Sequence, residues 1–323
     1  MADSSTEPKD LSTAILIRVD QSGQGDFKKI QDAIDAVPSN NSDLYYIWVK
    51  PGTYREKIVV PVDKPYITLS GTKASNTIIT RSEAGEIYDS PTLSILAADF
   101  VGRYLTIQNA YEGSGKAVAL RVSGDKAAIY SCRILSRQDT VLDDAGRHYF
   151  KNCYIEGSVD FICGNAASLF EKCHLHSLAE RTGWVTAQHR ASPVENTGYT
   201  FLGCKITGIG TTLLGRPWGA YSRVIFALSY LSSAIQPEGW NDWAYFTKRL
   251  HCKSDRTAFY GEYKCYGPGA DRSKRVAWSR GLSKEEATPF LSKGMIGGGG
   301  WLRISPIHFK KRPVVATTLQ ADM

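Results

Sequence analysis

The sequence predicts an all-β fold, a right-handed parallel β-helix with a short N-terminal capping helix, and three observations lead to it. A short strand pattern recurs around four cysteines: Ile129-Tyr130-Ser131-Cys132-Arg133-Ile134, Phe150-Lys151-Asn152-Cys153-Tyr154-Ile155, Phe170-Glu171-Lys172-Cys173-His174-Leu175 and Phe201-Leu202-Gly203-Cys204-Lys205-Ile206. A fifth copy, Phe226-Ala227-Leu228-Ser229-Tyr230-Leu231, carries Ser in the Cys place. The steps between cysteines are 21, 20 and 31 residues, and a period near 20 with one β-rich strand per repeat is the signature of a solenoid. Within each copy the Cys and the aliphatic residue two places later share one strand face. Stacked in register, they form inward ladders of Cys and of Ile or Leu, and no repeat buries its apolar face without its neighbours.

The longest step requires an inserted loop, placed at about 180–196. The ladder cysteines read as small buried hydrophobes. Seven cysteines is an odd count without CxxC-like spacing, which argues against a disulfide framework or a zinc site. Ahead of the repeats, Phe27, Ile30, Ile34 and Val37 recur at helical spacing between Asp26, a candidate N-cap, and Pro38. A short amphipathic helix there would close the open end of the coil. Early strands are expected at 45–49, 58–60, 67–69 and 105–108. From about Lys284 the pattern fades, with a helix expected near 285–291, a glycine run at 297–300 and no assignable structure after about Pro313. No linker breaks the chain, so one domain is expected over 17–303, with 1–16 and 304–323 as poorly defined tails.

The chain has 323 residues and a formal net charge of +7, with a pI of about 8.9. A basic balance favours an acidic partner. Lys and Arg are scattered, with only Lys310, Lys311 and Arg312 clustered, so a dedicated nucleic-acid surface is not expected. No apolar run approaches the roughly 20 residues of a membrane span. The first residues, Met1 to Glu7, are polar and acidic, so no signal peptide is legible, and Asn40-Asn41-Ser42 is the one glycosylation sequon. Gly113-Ser114-Gly115-Lys116 lacks the leading Gly and following Ser/Thr of a phosphate loop, and no G-x-S-x-G elbow occurs. His174 and His176 share a strand face without a third ligand at useful spacing, which reads as structural.

The candidate chemistry lies seven residues beyond two neighbouring ladder positions, at Asp139 and Asp160. In-register stacking places these carboxylates on adjacent rungs, about 4.8 Å apart along the coil. Two carboxylates that close do not easily both ionise and titrate as a pair, leaving one carboxylate and one acid, the arrangement acid–base and covalent chemistry needs. Spacing alone leaves open a pair of turn-capping aspartates.

Five segments resemble the pectin methylesterases: Gly52-Thr53-Tyr54-Arg55-Glu56, Ala117-Val118-Ala119-Leu120, Gln138-Asp139-Thr140, Asp160-Phe161-Ile162-Cys163-Gly164 and Leu214-Gly215-Arg216-Pro217-Trp218. They follow the family's order over about 17–303, and Glu156-Gly157-Ser158-Val159-Asp160 resembles the plant branch. The resemblance implies a single-domain parallel β-helix that removes methyl esters from galacturonate residues of pectin. It implies that Asp160 is the nucleophile, Asp139 the general acid and then base, Gln138 an oxyanion donor and Arg216 the partner of Asp160. Trp218, Trp243 and Phe161 are implied to contact sugar rings. The resemblance further implies no metal or other cofactor and a monomer acting in the cell wall on methyl-esterified pectin, and it leaves open whether a proteinaceous inhibitor binds.

Three positions depart from the family. Lys116 stands where a second oxyanion-donating Gln is usual; a cation there could donate to an oxyanion or pair with either aspartate. Val141-Leu142 follows Gln-Asp-Thr in place of the Leu-Tyr of many plant members, and Cys163 replaces a usual Phe. A polygalacturonase, a pectate lyase, a non-catalytic pectin-binding homologue and an esterase redirected to a small methyl ester are the rival readings. The first two cut the chain, the first with carboxylates typically ~6.5–9.5 Å apart.

Overall fold

Each sequence repeat becomes one turn of a coil with three strands. On the turn that carries Cys153, Arg147–Lys151 lies in one sheet, Tyr154–Gly157 in a second and Ile162–Gly164 in a third, and Ala167–Glu171 begins the next turn. The computed structural model describes residues 12–242 and 257–312. Across them the three sheets hold twelve, eight and seven strands, stacked in parallel register. The fold is a right-handed parallel β-helix, the hand that parallel crossovers almost always take. The early strands lie at Leu44–Val49, Ile58–Val60, Ile67–Ser70 and Thr106–Asn109, within a residue or so of expectation.

One corner is built the same way on turn after turn. Ser131, Asn152, Lys172, Leu228 and Lys264 adopt left-handed backbone with φ of 52°, 54°, 54°, 52° and 48°, and Gly203 fills the same place at 62°. An L-residue there costs roughly 1–2 kcal/mol, so the stacked ladder must hold it in place. The next residue points inward, and its thiol meets the carbonyl of the turn before. Cys153 Sγ donates to Ile129 O at 3.4 Å, Cys173 to Phe150 O at 3.5 Å and Cys204 to Phe170 O at 3.2 Å. Ser229 Oγ makes the equivalent bond to Phe201 O at 3.1 Å, which explains why Ser can replace Cys. Cys265 continues the ladder onto Phe226 O at 3.3 Å, a member the repeat pattern did not reveal. Beside the thiols, Phe150, Phe170, Phe201 and Phe226 stack at centroid spacings of 4.5, 4.7 and 4.5 Å. The six described cysteines are free thiols.

The capping helix is shorter than expected, Ile30–Asp35, and buries Ile30, Ala33 and Ile34 over the first turn. Its N-cap is Lys29, which makes no side-chain cap. Asp26 instead accepts from Arg18 N at 2.7 Å. The free N–H groups of Ile30 and Gln31 go to the two carboxylate oxygens of Glu56, at 3.0 Å each, satisfying donors that a helix start leaves open. The Gly52–Glu56 segment therefore serves the end cap.

The 31-residue step also differs from expectation. Thr182–Gln188, placed in the inserted loop, is a strand of the seven-stranded sheet. Val185 points into the core and continues its ladder, and the register splits the extra length: Gly157 pairs with Ser177, Ile162 with Thr186 and Ala167 with Gly198, so four extra residues precede Thr186 and seven fall in 189–197. At the C-terminal end, the helix Lys284–Ala287 starts from a Ser283/Glu286 capping box. The segment then lays Ala287, Ile296 and Trp301 on the outer face of the twelve-stranded sheet. His308–Lys311, expected in a tail, pairs with Thr13–Val19 at the opposite end of the coil, so strand structure extends beyond 17–303 on both sides.

Candidate active site

Asp139 and Asp160 sit at a second corner, between the eight- and seven-stranded sheets, on adjacent turns. Gln138 bridges Val159 in parallel, and Asp139 N donates to Val159 O at 3.1 Å. Both aspartates adopt left-handed backbone, with φ of 57° and 48°, and both are 6% exposed. Register extends this position along the coil. Leu120, Val141, Ile162, Thr186 and Gly215 pair in succession. The residues two places earlier therefore form one column: Val118, Asp139, Asp160, Trp184 and Leu213. The carboxylates are flanked in that column by apolar side chains only.

A parallel column on the outer face runs Arg121, Leu142, Cys163, Ala187, Arg216. Arg216 reaches back over Ala187 and grips Asp160 with both prongs, Nε to Oδ1 at 2.8 Å and Nη2 to Oδ2 at 2.6 Å. Its guanidinium lies over the Trp184 ring, 4.4 Å from the centroid. Gly215 is required before it, since a Cβ there would collide with Thr186 Oγ1.

This geometry separates the two carboxyls. Burial, and then the charge of Asp160, push Asp139 up to about 7, against the pull of Lys116 and Arg216. Burial also raises Asp160, but the hydrogen bonds and charge of Arg216 oppose it. The Arg216 fork thus favours the carboxylate form of Asp160 beside a group still able to carry a proton near neutral pH, the combination needed for nucleophilic attack with acid assistance.

Comparison with known proteins gives the family. A family model described as Pectinesterase matches residues 16–299. An Arabidopsis thaliana pectinesterase homologue is 64% identical over 306 residues, covering 94% of this chain and 85% of the relative. The Arabidopsis thaliana pectinesterase QRT1 is 42% identical, covering 90% and 79%. The solved pectin methylesterase from carrot superposes with a TM-score of 0.84 at 34% identity, covering 93% and 97%. The chain belongs to the pectinesterase family.

Against the residues expected of a pectinesterase, four lie together: Asp139, Asp160, Gln138 and Arg216. Gln138 is half-buried at the corner beside Asp139, and its carbonyl accepts from Ala117 N at 3.2 Å. Lys116 pairs with neither aspartate; its ammonium bonds Glu86 Oε2 at 2.9 Å, and both side chains are exposed. Phe161 is corrected. It is fully buried in the core, because the left-handed turn at Asp160 breaks strand alternation and sends the next side chain inward. Gly157 makes room for it, since a Cβ there would meet Phe161 Cβ. Trp218 is 40% exposed and lies against the His189 ring at 4.4 Å. Trp243 lies outside the described residues.

Trp184 belongs to the site and was missed. It occupies the place of Asp160 one turn on, but four extra residues between Ser177 and Thr186 hide that register in the sequence. The two other departures are packing changes: Leu142 and Cys163 join Val118, Ala187 and Ile87 in a small apolar cluster on the outer face. His174 and His176 share the Thr207 hydroxyl, at 2.8 and 2.7 Å.

Proposed function

We propose that this pectinesterase hydrolyses methyl esters of galacturonate residues in pectin, releasing methanol, with Asp160 as nucleophile and Asp139 as acid and then base. The observation that carries the reading is the two-pronged hold of Arg216 on Asp160 beside an Asp139 pushed up to about 7. The Asp160 carboxylate attacks the ester carbonyl carbon, and the carbonyl electrons move onto oxygen. The Gln138 side-chain amide, next to the attacking group, donates to that oxyanion. Collapse breaks the bond to the methoxy group, which takes the proton of Asp139 and leaves as methanol. The acyl group is then an anhydride on Asp160. Asp139, now ionised, removes a proton from water, which attacks the acyl carbon and restores both aspartates.

Arg216 keeps Asp160 ionised despite burial and fixes its orientation, since a guanidinium fork matches a carboxylate. Trp218, exposed at the end of the Arg216 strand, offers a flat apolar face to a sugar ring. The net charge of +7 suits a polyanionic substrate, and the plant cell wall is where such a polymer would be met.

Methanol release from highly methylated pectin by the parent, its loss in Asp160→Ala and unchanged polymer length together test the reading. Chain scission would favour a glycosidase or lyase. Binding without methanol would favour a non-catalytic homologue, and release only from small esters would relocate the substrate.

A further inference from the structure

Lys116 lies on the turn before Asp139, next to Ala117, whose N–H bonds the Gln138 carbonyl at 3.2 Å, yet its ammonium is bonded to Glu86, and the loop that carries Glu86 is built in place. The segment between Thr77–Arg81 and Leu93–Ile95 crosses from the eight-stranded to the seven-stranded sheet and lies on the outer face beside the site. Four consecutive residues fasten it. Gly85 N donates to the backbone carbonyl of Lys116 at 3.2 Å. Glu86 accepts from Lys116 Nζ at 2.9 Å. Ile87 packs on the cluster of Val118, Leu142, Cys163 and Ala187. Tyr88 donates to Asp144 Oδ1 at 3.3 Å and lies under the Arg121 guanidinium, 4.6 Å from its ring centroid. Glu86 is therefore held on both sides of its own backbone, and its carboxylate meets Lys116 from a fixed base.

The charged and titratable groups that act on Asp139 come from three directions. Asp160 and Cys163 lie on the turn after it, Arg216 reaches back from farther along the coil, and Lys116 lies on the turn before. Arg216 is committed to Asp160. Lys116 is the one cation of this set that could swing between Asp139 and another partner, because a lysine stem is flexible. An exposed ion pair such as Lys116–Glu86 adds little to stability, so its effect is felt where it directs the charge.

We propose that Glu86 is a positioning residue for ester hydrolysis: its carboxylate holds the Lys116 ammonium on the solvent side, out of direct pairing with Asp139, so that Asp139 keeps the proton it gives to the leaving alcohol. The inference rests on Asp139 as the acid. The sign is fixed by charge. With Glu86 neutralised, Lys116 turns to the aspartates, the anionic form of Asp139 gains a partner and its proton is lost at lower pH. Because the protonated form is the active one, the alkaline limb of the rate profile moves down with it.

The test follows the Asp139 carboxyl by carbon NMR titration in the full chain, alongside the pH dependence of methanol release, in the parent, Glu86→Gln and the double variant Glu86→Gln/Lys116→Gln. Glu86→Gln should lower the Asp139 midpoint and the alkaline limb together by about one pH unit. The double variant should return both at least to the parent position. No shift in Glu86→Gln overturns the proposal. An equal downward shift in the double variant also overturns it, since Glu86 would then act through its own charge and not through Lys116. The NMR titration needs no turnover, so a parent that releases no methanol would sink the assigned reaction while still deciding whether Glu86 governs the Lys116–Asp139 contact.

Discussion

Replacing Asp139 by Asn should stabilise the folded protein at neutral and alkaline pH, and its size can be worked from the site. The Asp139 carboxyl is 6% exposed and pushed up to about 7, by burial first and by Asp160 second. In the unfolded chain an Asp titrates near ~3.9. Between those values the native state holds a proton that the unfolded state has released, so Asp139 makes stability fall as pH rises through the window. A gap of about three units, at ~1.36 kcal/mol each, comes to about 4 kcal/mol above pH 7. Asparagine has nearly the same shape and no charge to desolvate. With an unfolding entropy of roughly 2.1 cal/mol/K per residue, a chain of this length should gain about 6 °C in Tm. The assay is the Tm of parent and variant at pH 4, 6 and 8, with methanol release measured beside it. The curves should nearly coincide at pH 4 and separate by pH 8, while activity is lost. A gap independent of pH, or a less stable variant at pH 8, would refute the reasoning, because Asp139 would then ionise without penalty and its role as acid would lose its physical basis.

Two further outcomes follow from the same geometry. Arg216→Met leaves Asp160 buried without its fork; losing one partner of a buried pair costs about 3–5 kcal/mol. The acid limb of methanol release should therefore rise by about two pH units or more, with Arg216→Lys intermediate because it keeps the charge and loses the two-pronged hold. In the thiol ladder, Cys173→Ser should change stability by less than about 1 kcal/mol, since Ser229 already fills an equivalent place, whereas Cys173→Val leaves Phe150 O without its donor and should cost about 1–3 kcal/mol, read from urea midpoints.

The coil was legible because its regularity is local. Each copy repeats the corner residue, the inward Cys or Ser and the aliphatic residue that follows, so stacking can be read without any long-range contact. The aspartate pair was legible for the same reason, being equally offset from Cys132 and Cys153. What failed to show depends on contacts that no local spacing encodes. Glu56 caps a helix 26 residues before it. The Glu86–Lys116 pair spans a loop outside the repeat. Trp184 stands in the aspartate column eleven residues after Cys173 and not seven, because four extra residues enter the chain before it. Phe161 was expected at the sugar from the resemblance alone, and the left-handed φ of its neighbour Asp160, which turns it into the core, is not legible in the sequence. Arg216 came from the family resemblance alone, since nothing in its own segment tells that it reaches back over Ala187.

The unequal roles proposed for two aspartates of like backbone and like burial come from the reach of one side chain. Both stand in a column whose other members are Val118, Trp184 and Leu213, so both lose hydration and both are raised. Arg216 approaches from the Asp160 side, and an arginine two turns along can cross the small Ala187 and make its fork with Asp160. That engagement uses both prongs on one carboxylate. Asp139, one turn farther, receives only the diminished field of the same guanidinium, while its own nearby cation is occupied by Glu86. Exchanging the two aspartates' roles would require moving the arginine by one turn of the coil, and the glycine that admits its strand against Thr186 would have to move with it. On the proposed reading, the register of the seven-stranded sheet sets the division into carboxylate and acid, and the apolar column supplies the burial behind it.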